Sequence, residues 1–182
     1  MALVRNSLLL AAALLVGAGC MDSSDHDGDT SDGVQPVVVD NDLEFIDALV
    51  PHHEMAVMMA DLVIEKGSDA HVKEMAQTMK AAQTGEVAEL KATRKRIDGS
   101  EEVPEMHDPH MDEDMDMMRA AGGAALDRMF LEHMLPHHAG AIQIAHNALP
   151  NLKEANLKTM AGKIIADQAE EIGMIHDMLA EL

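Results

Sequence analysis

Phe45-Ile46-Asp47-Ala48-Leu49-Val50-Pro51-His52-His53 returns later in the chain as Phe130-Leu131-Glu132-His133-Met134-Leu135-Pro136-His137-His138. The correspondence continues outward at a constant offset: Val57, Ala60 and Ile64 fall on Ile142, Ala145 and Leu149. Steps of three and four residues between apolar positions trace one face of a helix. A second segment repeats as well. Val72, Met75, Ala76, Met79, Gln83, Glu86, Val87 and Leu90 fall on Leu157, Met160, Ala161, Ile164, Gln168, Glu171, Ile172 and Ile175. Each half is therefore two amphipathic helices joined by a turn, at Gly67-Ser68-Asp69 in the first and Pro150-Asn151 in the second, with Asn151 expected as an N-cap. Two hairpins that each expose an apolar face close on one another, which predicts an all-α four-helix bundle.

Pro51 and Pro136 sit inside this periodicity. Each removes an amide donor and crowds the carbonyl four residues back, on Asp47 and Glu132, so a kink or a restarted helix is expected at both. His53 and His138 share the apolar stripe and should point inward, while His52 and His137 lie about 100° round the helix and border it. Imidazole is the commonest protein metal ligand near neutral pH. Two equivalent His pairs meeting in a pseudo-symmetric bundle make a shared metal site one reading; a hydrogen-bonded core network is the other. His133 stands one turn before His137, a chelating spacing that the first half lacks, since Ala48 occupies the matching position. Gln83 with Glu86, and Gln168 with Glu171, lie on the apolar faces of the second helix of each half. Buried polar groups need partners, so these four are expected to face the histidines, as orienting neighbours or as ligands.

The connection between the halves, residues 98–123, is longer than helix pairs usually require. Met106, His107, His110, Met111, Met115, Met117 and Met118 crowd its middle among acidic residues. Thioethers favour Cu(I) and Ag(I), and imidazole serves both copper oxidation states. A loose, soft metal site is the reading of this loop; an acidic linker, or a short helix docking through Met118, is the alternative. Methionine makes up 17 of the 182 residues, and a sulfoxide-scavenging role is a further use for it.

Residues 1–20 read as a lipoprotein-type signal: Arg5, an apolar core from Leu8 to Val16, then Gly17-Ala18-Gly19-Cys20. The apolar run is too short for a membrane span. Cys20 would then carry the lipid and hold the protein at the outer face of the cell membrane or in a periplasm; an ordinary signal cleaved elsewhere would leave it incidental. Cys20 is the single cysteine, so no intramolecular disulfide forms. Residues 21–41, rich in Asp, Ser and Gly, read as a disordered acidic tether to the bundle of residues 42–182. A formal charge of −20 disfavours nucleic acid as a partner and draws cations.

The pattern Phe-x-x-x-Leu/Met-x-Pro-His-His, an Ala-rich amphipathic run and Gln-x-x-Glu-Ile/Val, present twice from Asp42 onward, resembles the bacterial family called domain of unknown function 305. The resemblance implies a ferritin-like bundle, usually exported, with copper-binding members and no agreed activity. The second copy departs from the first, with Ala139-Gly140 where Glu54-Met55 stands, so the two His pairs need not be equivalent. Together these readings favour copper or silver sequestration or delivery outside the cytoplasm, with an unidentified metal-transfer partner and no organic cofactor. A metal-dependent oxidase using Glu86 and Glu171 is a rival, although no Glu-x-x-His of the kind that builds carboxylate-bridged di-iron bundles occurs. A structural or interaction bundle without metal is the third reading.

Overall fold

The computed structural model describes residues 39–105 and 109–182, and of residues 109–111 the backbone alone. The segment read as a signal, with Cys20, nearly all of residues 21–41 read as a tether, Met106 and His107, and the side chains of His110 and Met111, lie outside what is described. Five helices follow in order: α1 (Asp42–Lys66), α2 (Ala70–Asp98), α3 (Pro109–Ala120), α4 (Gly123–Ala148) and α5 (Ala155–Glu181). No strand occurs among the described residues, and no helix is long and apolar enough to cross a membrane.

The four long helices are the two repeated hairpins. Helices α2, α1, α4 and α5 pack in that order, and contact between α2 and α5 is sparse. The apolar core is divided in two. One half joins Phe45, Leu49 and Val50 to Leu90, Ile144, Ala148, Leu157 and Ile164. The other joins Ala60 and Val63 to Val72, Met79, Leu126, Phe130, Met134 and Ile175. The start of α1 thus meets the end of α4 and its end meets the start of α4, so the two helices run antiparallel. Between the halves lies a polar layer in which His53, His138, Gln83, Gln168 and His137 are all buried.

Helix boundaries follow from local chemistry. The Asn41 side chain caps α1 by accepting from the Glu44 amide at 3.0 Å, and Asp69 caps α2 by accepting from His71 and Val72. Gly99 ends α2 in the left-handed conformation, φ 82°, which glycine adopts without steric cost. Both prolines lie within unbroken helices, so neither helix stops and restarts there. Asn151 is not an N-cap: α5 starts four residues later, after Glu154, and the Asn151 amide instead donates to the Val39 carbonyl at 3.1 Å.

A reciprocal pair of carboxylates locks the hairpins together. Asp127, fully buried at the start of α4, accepts from the Ser68 and Asp69 amides at 2.9 Å each and from the Ser68 hydroxyl at 2.7 Å. Its repeat counterpart Asp42 accepts from the Lys153 amide at 2.8 Å. Each hairpin's first helix therefore holds the turn of the other.

The segment read as a methionine loop is in large part the helix α3. Acidic residues face outward while Met115 and Met118 enter the second core half beside Phe130 and Leu131. Burial thus accounts for two of its methionines. Met117, 47% exposed, remains at the surface.

Candidate metal centre

The imidazoles of the two Pro-His-His copies meet where α1 crosses α4. The His52 and His137 rings lie 3.8 Å apart between centroids, tilted by 41°. His53 and His138 stand behind them, 6.2 and 6.3 Å from their chain neighbours. His137 Nε2–H donates to the His52 carbonyl at 2.9 Å, crossing from one repeat to the other. His138 Nε2–H donates to Glu171 Oε2 at 2.7 Å. In the first repeat His53 Nε2 lies 3.0 Å from Glu86 Oε2 but out of line for a hydrogen bond.

The two donating contacts fix the tautomers of His137 and His138. A neutral imidazole that donates from Nε2 carries its lone pair on Nδ1. The Nδ1 atoms of His52, His53, His137 and His138 are all buried and all lack a hydrogen-bond partner. A buried, unshared imidazole lone pair costs free energy unless something occupies it. The donor set thus fits a metal ion that prefers nitrogen ligands and few of them. Among the described residues no three His, Cys, Asp or Glu side chains form a ready-made cage, so a bound ion would use two imidazoles, or draw the layer together.

Burial, reinforced by His137, His53 and His138, holds His52 well below the usual histidine range. Burial and the neighbouring His138 and His53 lower His137 to about 3, against the upward pull of its bond to the His52 carbonyl. Both rings are therefore neutral at physiological pH, and no proton competes for their lone pairs.

The other expected site residues divide. Glu86 and Glu171 reach the imidazoles and line, with Gln83, Gln168 and Lys163, a narrow opening between α2 and α5. Gln83 and Gln168 are buried in the same layer without hydrogen bonds at Gln83 Oε1, Gln83 Nε2 and Gln168 Oε1. His133 does not join the cluster; its Nδ1 faces Asp114 of α3 at 3.5 Å. Gly140 proves to be part of the site. An ideal Cβ there would stand 3.1 Å from His52 Nε2, so the ring occupies space that any other residue would crowd. The break in the repeat at Ala139-Gly140 was the visible sign of this close approach.

Two helical hairpins closed around a layer of paired histidines define a class of all-α bundle with a repeated Pro-His-His signature. Residues 42–179 match the family described as domain of unknown function (DUF305), and the chain belongs to that family. The fold is similar to CopM in its Cu(II)-bound form, with 28% identity, a TM-score of 0.70, and coverage of 78% of this chain and 97% of that one. CopM also exists in a Cu(I)-bound form, 25% identical over 77% of this chain and 96% of that one, TM-score 0.68. A DUF305 fragment from Deinococcus radiodurans shares the fold at 20% identity, TM-score 0.70, covering 78% of this chain and 96% of that one. No curated protein matches the sequence.

Proposed function

We propose that this protein is an exported copper-binding protein that sequesters or delivers the ion, accepting Ag(I) in its place. One observation carries the reading: four buried Nδ1 atoms without partners gather at the junction of the two repeats. His52, His53, His137 and His138 are the ligand set of this central site. Glu171 orients His138 from the Nε2 side, as outer carboxylates do for ligating histidines, and Glu86 stands at the equivalent place beside His53. The copper-bound and silver-bound forms of CopM, a relative of like fold, support the choice of metal.

A softer site draws on Met106, His107, His110, Met111 and Met117 of the connection, whereas Met115 and Met118 serve packing. His133, paired with Asp114, is left out of the central site. The signal-like N-terminus supports export, with Cys20 as the point of lipid attachment, which would leave the ion to be passed to a partner at the membrane surface.

A structural reading also has an observation behind it. The same imidazoles fill a polar layer between two apolar half-cores, as a purely structural network would. Competition of the wild-type protein and H52Q/H137Q against a chromophoric Cu(I) chelator separates the two. Copper binding predicts a lost equivalent in the variant. A structural layer predicts unchanged copper uptake with a lower melting temperature.

A further inference from the structure

The sparse seam between α2 and α5 holds two clefts related by the internal repeat. One is lined by Gly85, Glu86, Glu89, Asn156, Thr159, Met160 and Lys163. The other, about 250 Å³, is lined by His71, Glu74, Met75, Thr78, Glu171, Met174 and Met178. At the repeat offset Glu86, Asn156, Thr159, Met160 and Lys163 of the first coincide with Glu171, His71, Glu74, Met75 and Thr78 of the second. The two clefts are thus lined from equivalent positions of the repeat, and their chemistry differs.

In the first cleft the Asn156 amide donates to Glu89 Oε1 at 3.2 Å and to Thr93 Oγ1 at 2.8 Å. The counterparts of Asn156, Glu89 and Thr93 are His71, Met174 and Met178. At the positions that carry an amide, a carboxylate and a hydroxyl in the first cleft, an imidazole and two thioethers therefore stand in the second, where all three line the wall. Lys163, with its Nζ 3.6 Å from Glu86 Oε1, places a positive charge on the first cleft. Its counterpart Thr78 is neutral, so the second cleft keeps the negative charge of Glu74 and Glu171 without a lysine. Met174 is 44% exposed, an arrangement that hydrophobic burial does not explain. Met75, nearly buried, supplies a third sulfur in the wall.

We propose that His71, Met174 and Met178 form a separate binding site for a soft monovalent cation, Cu(I) or Ag(I), with Met75 beside it. Thioether sulfur and imidazole nitrogen select such ions over hard ones, and the two carboxylates raise the local cation concentration. Glu171 lines this cleft and also accepts from His138, so the site adjoins the central imidazole layer. The inference rests on the copper reading for the identity of the ion alone; the ligands are different residues.

Full-length protein labelled at the methionine methyl carbons and titrated with Ag(I) tests it, with resonances assigned through M174L and M178L. The expected result is that the Met174 and Met178 methyls shift in the first equivalents while those of buried Met118 stay in place. H71Q should weaken this site at least about tenfold, the loss that removal of even a ligand's outer partner causes, without moving the melting temperature. Static Met174 and Met178 methyls would overturn the proposal, as would equal Ag(I) affinity in wild type and M174L/M178L. The titration repeated on H52Q/H137Q keeps the two sites apart. Shifts that persist there uphold the cleft even if the central site takes no copper. Central binding with silent Met174 and Met178 removes the cleft and leaves the copper reading intact.

Discussion

Gly140 occupies the position that Met55 holds in the first repeat, and the His52 ring lies where its side chain would grow. Alanine at that position gains helix propensity, about 1 kcal/mol relative to glycine in a helix interior, but sets a methyl 3.1 Å from His52 Nε2. The His52 ring is the far end of a side chain, less deeply buried than His53 or His138, and can shift by the few tenths of an ångström required. G140A should therefore match or exceed the wild type in urea midpoint while binding Cu(I) more weakly in a chelator competition. Equal affinity would mean that the His52 position is not part of the ligand geometry. Glu171 offers the complementary case. Its Oε2 accepts a hydrogen bond from the Nε2–H of His138, raising the basicity of the opposite nitrogen. E171Q can still accept that bond but without the charge, and copper affinity should fall by about 10–100-fold. The same titration, run on a variant whose circular dichroism matches wild type, checks it.

The elements are held by contacts of unequal depth, and the repeat allows them to be compared. Asp127 is wholly buried and accepts from two amides and a hydroxyl, whereas its counterpart Asp42 is partly exposed and binds one turn amide closely. Leaving those donors unpaired in the interior costs more than leaving them to solvent. D127A should lower unfolding free energy by about 3 kcal/mol and D42A by about 1 kcal/mol, measured by urea denaturation. Comparable losses would show that the two turns are equally accessible to water. The hairpins were legible because Phe45 to Ile64 and Phe130 to Leu149 carry the same helical period, and His53 and His138 lie on its inner stripe. The carboxylate locks were not, because Asp42 and Asp127 precede the periodic stretch and their partners are turn amides distant in sequence. Helix α3 was legible only as an alternative, a short helix docking through Met118, for a different reason. Met115 and Met118 have helical spacing, but the surrounding acidic residues mask a face only two side chains wide. The His133 position shows the limit of spacing arguments: its register with His137 is that of a chelating pair, yet Asp114 on α3 engages it.

For the whole molecule, acidity and the buried imidazoles act on stability in opposite directions as pH falls. With 33 acidic against 13 basic residues, the surface repels itself at neutral pH, and protonating carboxylates relieves that strain. The polar layer works the other way. His52 is held well below its ordinary range and His137 down to about 3, so in the folded, metal-free protein neither takes a proton near pH 6. In the unfolded chain both titrate near 6.5. Below that value the unfolded state binds more protons, and folding free energy falls with pH. The contribution of these two rings is complete above pH 6.5, declines as pH drops, and levels off once the folded rings themselves titrate, near pH 3 for His137. Each ring accounts for about 1 kcal/mol per pH unit in that window. The wild-type curve alone mixes the two effects, so the difference from H52Q/H137Q is the informative quantity. Metal-free wild type should lose stability relative to that variant by about 2 kcal/mol between pH 6 and pH 5, measured by urea denaturation. Parallel curves would mean that the rings take up protons in the folded state and that the layer opens to solvent. Copper should raise the wild-type curve without changing its slope. An ion bound to Nδ1 adds stability that grows with the logarithm of its free concentration over Kd, and because the folded rings remain neutral, that gain should persist to pH 5 in wild type and be absent from H52Q/H137Q.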